Sequence, residues 1–316
     1  MDEHTAVADY LARWLDVQRT QLEASTWASY AGNVRRYLLP HLGHLALRDL
    51  TVPILDAMYA ALATQPGPRG RQLSLRTVRF SHAVLHKALG DAVKSGIVAT
   101  NPAAHATLPR RAPDRDSDIP EVRVWTALQL RAFLDATAGD PLHRLWVVAA
   151  GTGMRRGELL GLRREDVGDG VLHVRRSLTV VGGEVRLKRP KSSRSRALRL
   201  DYRTATALAE EAALPRPQRH LDLIFTEADG SALDPMRVTH AFRTAVARTD
   251  LARVRLHDLR HTHATLLLQA GVPVKVVSER LGHATVALTL DIYAHVLPAM
   301  DADAAERFGA LLDAAR

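Results

Sequence analysis

The chain contains no cysteine. Disulfides and thiolate metal sites are therefore excluded, and nothing in the residue usage supports an oxidising, extracellular setting. Long apolar runs are missing too: no window reaches the ~18 uninterrupted apolar residues of a membrane-spanning helix. The N-terminal MDEHTAVADY has neither the basic start nor the apolar core of a signal peptide, so no membrane association and a cytoplasmic location are expected. Lysine is scarce. Lys87, Lys94, Lys188, Lys191 and Lys275 are the only five among 43 lysines and arginines. A planar guanidinium that bonds two oxygens and keeps its proton suits phosphate, whereas an ammonium group can give a proton up.

What is present is a chain of 316 residues, 47% hydrophobic, long enough for two domains with their own cores. Its formal net charge of +9 points to a polyanionic partner, nucleic acid first, with a merely basic enzyme as the alternative.

Residues 5–108 carry apolar side chains at three and four spacing in VADYLARWL, TWASYAGNVRRYLLPHL and SLRTVRFSHAVLHKALGDAVKSGI, with no strand alternation. Breaks at Pro40, Pro53, the Pro66 to Gly70 cluster and Asn101-Pro102 predict four or five helices, and residues 1–108 are expected to form one helical domain. Arg35, Arg36, Arg76, Arg79, His82 and His86 recur there at helical intervals, as DNA contacts or as a solvated face. Residues 109–124, PRRAPDRDSDIPEVRV, are rich in proline and charge and read as a linker.

A second domain is expected over residues 125–298. Thr126 caps a helix in WTALQLRAFLDAT, and two further helices meet at the Gly151 to Gly153 turn. VLHVRRSLTVV, GEVRLKR and SRALRL alternate, separated by Gly182-Gly183 and Lys191 to Ser193, and predict three antiparallel strands. Helices resume after residue 201, with turns at Pro215 to Pro217, Asp229-Gly230 and Gly271 to Pro273. The expected fold class is mainly α with a small three-stranded antiparallel β-sheet. In the tail, residues 299–316, Ala304, Phe308, Leu311, Leu312 and Ala315 fall on one side of a helix.

The residues that carry chemistry lie in this second part. In MRRGELLGL, Arg155 and Glu158 are three apart, so a carboxylate on the same helix face can orient the guanidinium. In HDLRHTHATLL, His257 and Arg260 share a face in the same way, on a helix anchored by Leu259, Ala264, Leu267 and Leu268. Lys191 stands at the turn between the second and third strands, where one lysine is a credible acid. Tyr293 ends VALTLDIY, ten residues after His283, and its hydroxyl can attack phosphorus once surrounding cations offset its high pKa. Two arginines, two histidines, a lysine and a tyrosine, with no carboxylate cluster and no cysteine, point to phosphodiester chemistry without a metal. Singly, each has a plainer explanation: a surface ion pair, or a tyrosine in an apolar core. His257, His261 and His263 also raise a zinc reading, against which stand the missing glutamate of the zinc-protease pattern and the absence of cysteine. GVPVKVVSERLGHATV has the outline of a helix-turn-helix.

TGMRRGELLGL, the strand lysine, HDLRH and LGHATVALTLDIY, in this order, closely resemble the catalytic domain of tyrosine recombinases, the phage-integrase family. The resemblance runs from about Trp125 to Val296, and the preceding helices look like the family's core-binding domain. It implies that Arg155 and Arg260 clamp the scissile phosphate, that Tyr293 attacks phosphorus to form a 3′-phosphotyrosyl link, and that Lys191 protonates the leaving 5′ oxygen. It further implies that His257 assists proton transfer at the nucleophile, that His283 donates to the phosphate, and that Glu158 supports them. Neither metal, ATP nor another cofactor is implied. The partners implied are double-stranded recombination sites, with a monomer in solution, a homotetramer on DNA passing through a Holliday junction, and an accessory DNA-bending or excision factor. Met1 begins almost directly on the core-binding helices, without the arm-binding domain of larger integrases; this implies either a simpler subgroup or a truncated chain.

Within this resemblance, TLDIYAHVLP favours an integrase of a phage or mobile element over an Xer-type resolver of chromosome dimers. A catalytically silent DNA-binding protein and a type IB topoisomerase are the competing readings. The net positive charge makes salt dependence the first test. The logarithm of DNA affinity should fall linearly with the logarithm of salt, with a slope of about −0.9 per phosphate neutralised; affinity that is flat in salt rules out a charged clamp.

Overall fold

Apolar residues three and four apart carry the first hundred residues through a series of helices, as the spacing predicts. In this computed structural model the residues described are 2–64, 66, 70, 72–109, 123–190, 195–217, 221–293, 306, 308–310 and 312–313. The chain divides into two compact units, Met1–Asp118 and Ile119–Arg316. Among the described residues no helix is long and apolar enough to cross a membrane.

The first unit contains α1 (Val7–Gln21), α2 (Ala24–Asn33), α3 (Leu39–Leu42), α4 (Val52–Thr64) and α5 (Leu75–Lys94). Leu11, Leu38, Leu55, Tyr59, Val84 and Leu85 form the centre of its core. The Tyr10 hydroxyl donates to the Ala88 carbonyl at 2.5 Å, which ties α1 to α5. Pro40 was expected to break a helix, and it does not. A π-helical turn over Val34–Leu38 joins α2 to α3. The wider turn relieves the clash that a proline ring makes with the carbonyl four residues back. Pro53 lies in the first turn of α4, where its missing N–H has no partner to lose.

The second unit opens on Trp125, whose indole N–H donates to the Ala252 carbonyl at 2.9 Å and whose ring packs beside Phe133 and Phe242. Thr126 caps α6 (Ala127–Ala136) as expected, and Gln129 reaches back to the Thr126 N–H to complete a capping box. Next come α7 (His143–Thr152) and α8 (Arg156–Leu160).

The β section differs from expectation. The first of the three predicted strands is two, β2 (Val171–Val174) and β3 (Ser177–Val181), preceded by a two-residue β1 (Val167–Gly168). β4 (Glu184–Lys188) pairs with β3 across Gly182-Gly183, whereas β5 (Arg196–Arg199) returns to pair with β2. All pairings are antiparallel, giving a three-stranded sheet in the order β1-β2-β5 and a separate two-stranded hairpin. The division falls at Arg175 and Arg176, which both donate to the buried carboxylate of Asp166, at 3.3 and 2.8 Å. Two successive side chains drawn to one acceptor are incompatible with strand alternation, which sends neighbours to opposite faces.

The remaining helices are α9 (Tyr202–Ala212), α10 (Pro235–Ala247), α11 (Asp258–Gln269), α12 (Val274–Leu281) and α13 (Val286–Tyr293). The fold is mainly helical with small antiparallel sheets, the class that the sequence predicts. The described positions of the tail are helical, and Phe308 and Leu312 are exposed there at 64% and 58%. Ala304, Leu311 and Ala315 lie outside the described residues, as do 110–122 of the expected linker.

Gly153 ends α7 in the left-handed region, with φ of 62°. A Cβ there would stand 2.8 Å from His263 Cδ2 and 2.9 Å from Leu281 Cδ2, so the turn requires glycine on two counts. Gly153→Ala should therefore lower the unfolding free energy by roughly 2 kcal/mol or more in urea titration; an unchanged midpoint would mean that the turn relaxes freely.

Candidate active site

The turn after α7 places Arg155 at the N-terminus of α8. Glu158, one helical turn on, accepts the Arg155 backbone N–H at 3.0 Å and its guanidinium at 2.9 Å, the pairing that their spacing predicts. Arg155 also donates to the Gly282 carbonyl at 3.4 Å. Glu158 is 1% exposed, and its other partner is Arg196 of β5, which donates to its two oxygens at 3.2 and 2.8 Å.

Arg260, in the first turn of α11, is 3% exposed and donates to the Gly153 carbonyl at 2.8 Å. The two arginines therefore flank one turn of backbone. His257 immediately precedes α11, exposed, with its ring edge-on to His261 at 5.2 Å. His283 follows Gly282, which ends α12 in the left-handed region. Its Nδ1 meets the Thr289 hydroxyl at 2.7 Å, and Thr289 is fully buried.

Burial first, and positive charge after it, set the titration of both histidines. Burial, then Arg260 and Arg155, push His283 down to about 4. Partial desolvation and then Arg260 lower His257, with Arg155 and Arg255 acting the same way and Asp258 opposing. Both imidazoles are thus neutral near pH 7 and lie within the field of both arginines. Tyr293 closes α13; its side chain and Lys191 lie outside the described residues.

The sequence pattern described as the phage integrase family matches residues 125–300, and that of the phage integrase N-terminal SAM-like domain matches residues 6–62. The chain belongs to the phage integrase family of tyrosine recombinases. It is 30% identical to the tyrosine recombinase XerC of Mycobacterium sp. (strain JLS), over 92% of this chain and 94% of that one. With the integrase of Mycobacterium phage L5 it shares 28% identity over 88% of this chain and 72% of the phage protein. Among solved structures, the Tn1549 transposon integrase in complex with a circular intermediate DNA superposes with a TM-score of 0.76 at 20% identity, covering 91% of this chain and 94% of that one. A lambda integrase tetramer bound to a Holliday junction gives 0.68 at 18% identity, over 89% of this chain and 78% of that one.

In the recombinase's N-terminal unit, Arg36 and Arg76 line one cleft with Tyr37 and Phe80. Arg35, Arg79 and His86 are exposed. His82 is half-buried and hydrogen-bonded through Nδ1 to the hydroxyl of core residue Tyr59 at 3.2 Å, so it faces inward more than the others.

Four further residues of the recombinase surround the arginines without having been singled out for this role: Arg196, His263, Arg280 and Thr289. Arg196 shares the inward face of β5 with Leu198, a strand position where a charge signals a buried partner. Arg280 donates to the carbonyls of Gly151 and Arg199, each at 3.1 Å, and to His263 Nε2 at 3.1 Å. His263 meets the Ala150 carbonyl through Nδ1 at 2.8 Å, so it pins α7 rather than facing His257.

Burial and then Arg280 push His263 down to about 4. Its folded-state pKa lies below the unfolded value, so stability is complete above the unfolded pKa and is lost as pH falls toward 4. His263 should contribute up to about 1.4 kcal/mol per pH unit to that loss. In urea titrations across this range Glu- or Asp-linked losses are common to both proteins, so His263→Gln should be less steeply pH-dependent than the parent; equal slopes would refute the assignment.

Proposed function

We propose that this recombinase cleaves and rejoins double-stranded DNA at specific sites, as an integrase of a phage or other mobile element. The observation that carries the reading is that Arg155, held by the Gly282 carbonyl, and Arg260, held by the Gly153 carbonyl, both lie close enough to the His257 and His283 rings for their charges to act on them. Two fixed guanidinium groups stabilise the charge that builds on a phosphodiester as it becomes pentacoordinate. The Thr289 hydroxyl occupies Nδ1 of His283, and in the tautomer that carries its proton on Nε2 the ring donates to a phosphate oxygen.

Tyr293 attacks phosphorus; the bond to the 5′ oxygen breaks, Lys191 supplies that oxygen with a proton, and neutral His257 assists removal of the tyrosine proton. The 3′-phosphotyrosyl link conserves the energy of the broken diester, so the reverse attack by a 5′ hydroxyl rejoins a strand without ATP, metal or cofactor. Residues 125–298 carry this chemistry. Residues 1–108 grip core DNA, with Arg36 and Arg76 toward a phosphate and Arg35, Arg79, His82 and His86 as further contacts. Residues 109–124 join the two, and the amphipathic segment 299–316 covers apolar surface on its own or a neighbouring subunit. The working assembly is a homotetramer on a Holliday junction, formed from monomers in the cytoplasm with an accessory DNA-bending or excision factor. The XerC relative, matched over nearly its whole length, favours chromosome-dimer resolution as the second reading.

The test uses nicked suicide duplexes carrying sites from the DNA that flanks the coding sequence. The parent protein should form a covalent protein–DNA adduct and Tyr293→Phe none, a loss of more than about 1000-fold. An adduct in Tyr293→Phe overturns Tyr293 as nucleophile. Binding without any adduct in the parent favours a silent DNA-binding protein, and relaxation of any supercoiled plasmid favours a topoisomerase.

A further inference from the structure

Glu158 presents a problem if Arg155 grips a phosphate. A carboxylate at 2.9 Å fixes the guanidinium in place, but it also cancels the charge that would attract the substrate. An isolated Arg155–Glu158 pair is neutral overall.

Arg196 changes that balance. Its side chain is 9% exposed, and all three of its nitrogens are used: two on the Glu158 oxygens, and Nε on the Arg280 carbonyl at 2.8 Å. The fork-to-fork geometry is the strongest arrangement open to an arginine and a carboxylate. Two guanidinium groups on one carboxylate leave the trio with a net charge of +1 beside the turn. Arg196 also lies directly against Gly282, where a Cβ would come within 2.9 Å of its NH1. Gly282 in turn offers its carbonyl to Arg155. Burial alone raises the Glu158 carboxyl, yet the hydrogen bond and charge of Arg196, followed by those of Arg155, hold it below its ordinary value.

We propose that Arg196 is a positioning residue for DNA cleavage: by taking up the charge of Glu158 in a bidentate ion pair, it leaves the charge of Arg155 available to the scissile phosphate. The inference rests on the reading of Arg155 as a phosphate clamp. Glu158 can then orient Arg155 without neutralising it, and β5 becomes part of the active site through Arg196.

A purely structural staple would also lose function when removed, so the test is a charge rescue. Single-turnover adduct formation on the suicide duplex and DNA affinity are measured for the full chain. Arg196→Gln should slow cleavage roughly 10- to 100-fold, with no comparable loss of affinity. Adding Glu158→Gln removes the uncompensated charge and should recover about fivefold or more of the rate. An Arg196→Gln protein that cleaves at the parent rate, or a double variant no faster than Arg196→Gln, overturns the proposal. If Arg196→Gln fails to give the parent's circular dichroism, Arg196→Lys takes its place: a lysine still neutralises Glu158, so a folded Arg196→Lys protein should cleave, and its failure to do so overturns the proposal. An absence of adduct in the parent itself sinks the proposed function, whereas an active parent with an indifferent Arg196→Gln sinks the role of Arg196 alone.

Discussion

The buried carboxylate of Glu158 is the constraint around which the second unit is arranged. A charge almost wholly removed from water must have partners on every lone pair or it destabilises the fold. Those partners come from three places in the chain: the Arg155 backbone and side chain, the Arg196 fork on β5, and through Arg196 the end of α12. Satisfying one side chain therefore brings together α8, a strand and the helix before His283.

Around it, backbone carbonyls hold the basic residues. Gly153 accepts from Arg260, Gly282 from Arg155, and Gly151 and Arg199 from Arg280. Carbonyl oxygens orient guanidinium groups without cancelling their charge, which suits a cluster meant to receive a polyanion. The two glycines with positive φ, Gly153 and Gly282, serve this arrangement sterically as well, since each sits where a Cβ would collide with His263 or Arg196. His263 and Arg280, uncharged and charged respectively at neutral pH, share a hydrogen bond beneath the α7 end and keep it rigid.

Helical periodicity, the Thr126 cap, the Gly151 to Gly153 turn and the Arg155–Glu158 pair were all open to a reading of the chain, because each depends on residues within a few positions of one another. The helix through Pro40 and the strand pairing were not. In the first case a π-turn absorbs the proline, and in the second Asp166 draws in two consecutive arginines from nine and ten residues away. Both outcomes depend on what the surrounding core allows, which local pattern does not encode. His82 shows the same limit: its helical interval matches the exposed basic residues, while its bond to Tyr59 comes from another helix.

By itself the sequence determined the family and the residue types of the candidate site, since the order of Arg155, Lys191, His257, Arg260, His283 and Tyr293 along the chain is specific enough to identify it. Only the tertiary structure decided which groups hold Arg155, Arg260 and His283. Arg196 reaches Glu158 across 38 positions, Arg155 reaches Gly282 across 127, and Thr289 becomes the partner of His283 through a turn between two helices. Catalytic residue types are imposed by chemistry and leave a recurring order in the chain. Their supports are imposed by which buried donors and acceptors the packed helices and strands bring within bonding distance.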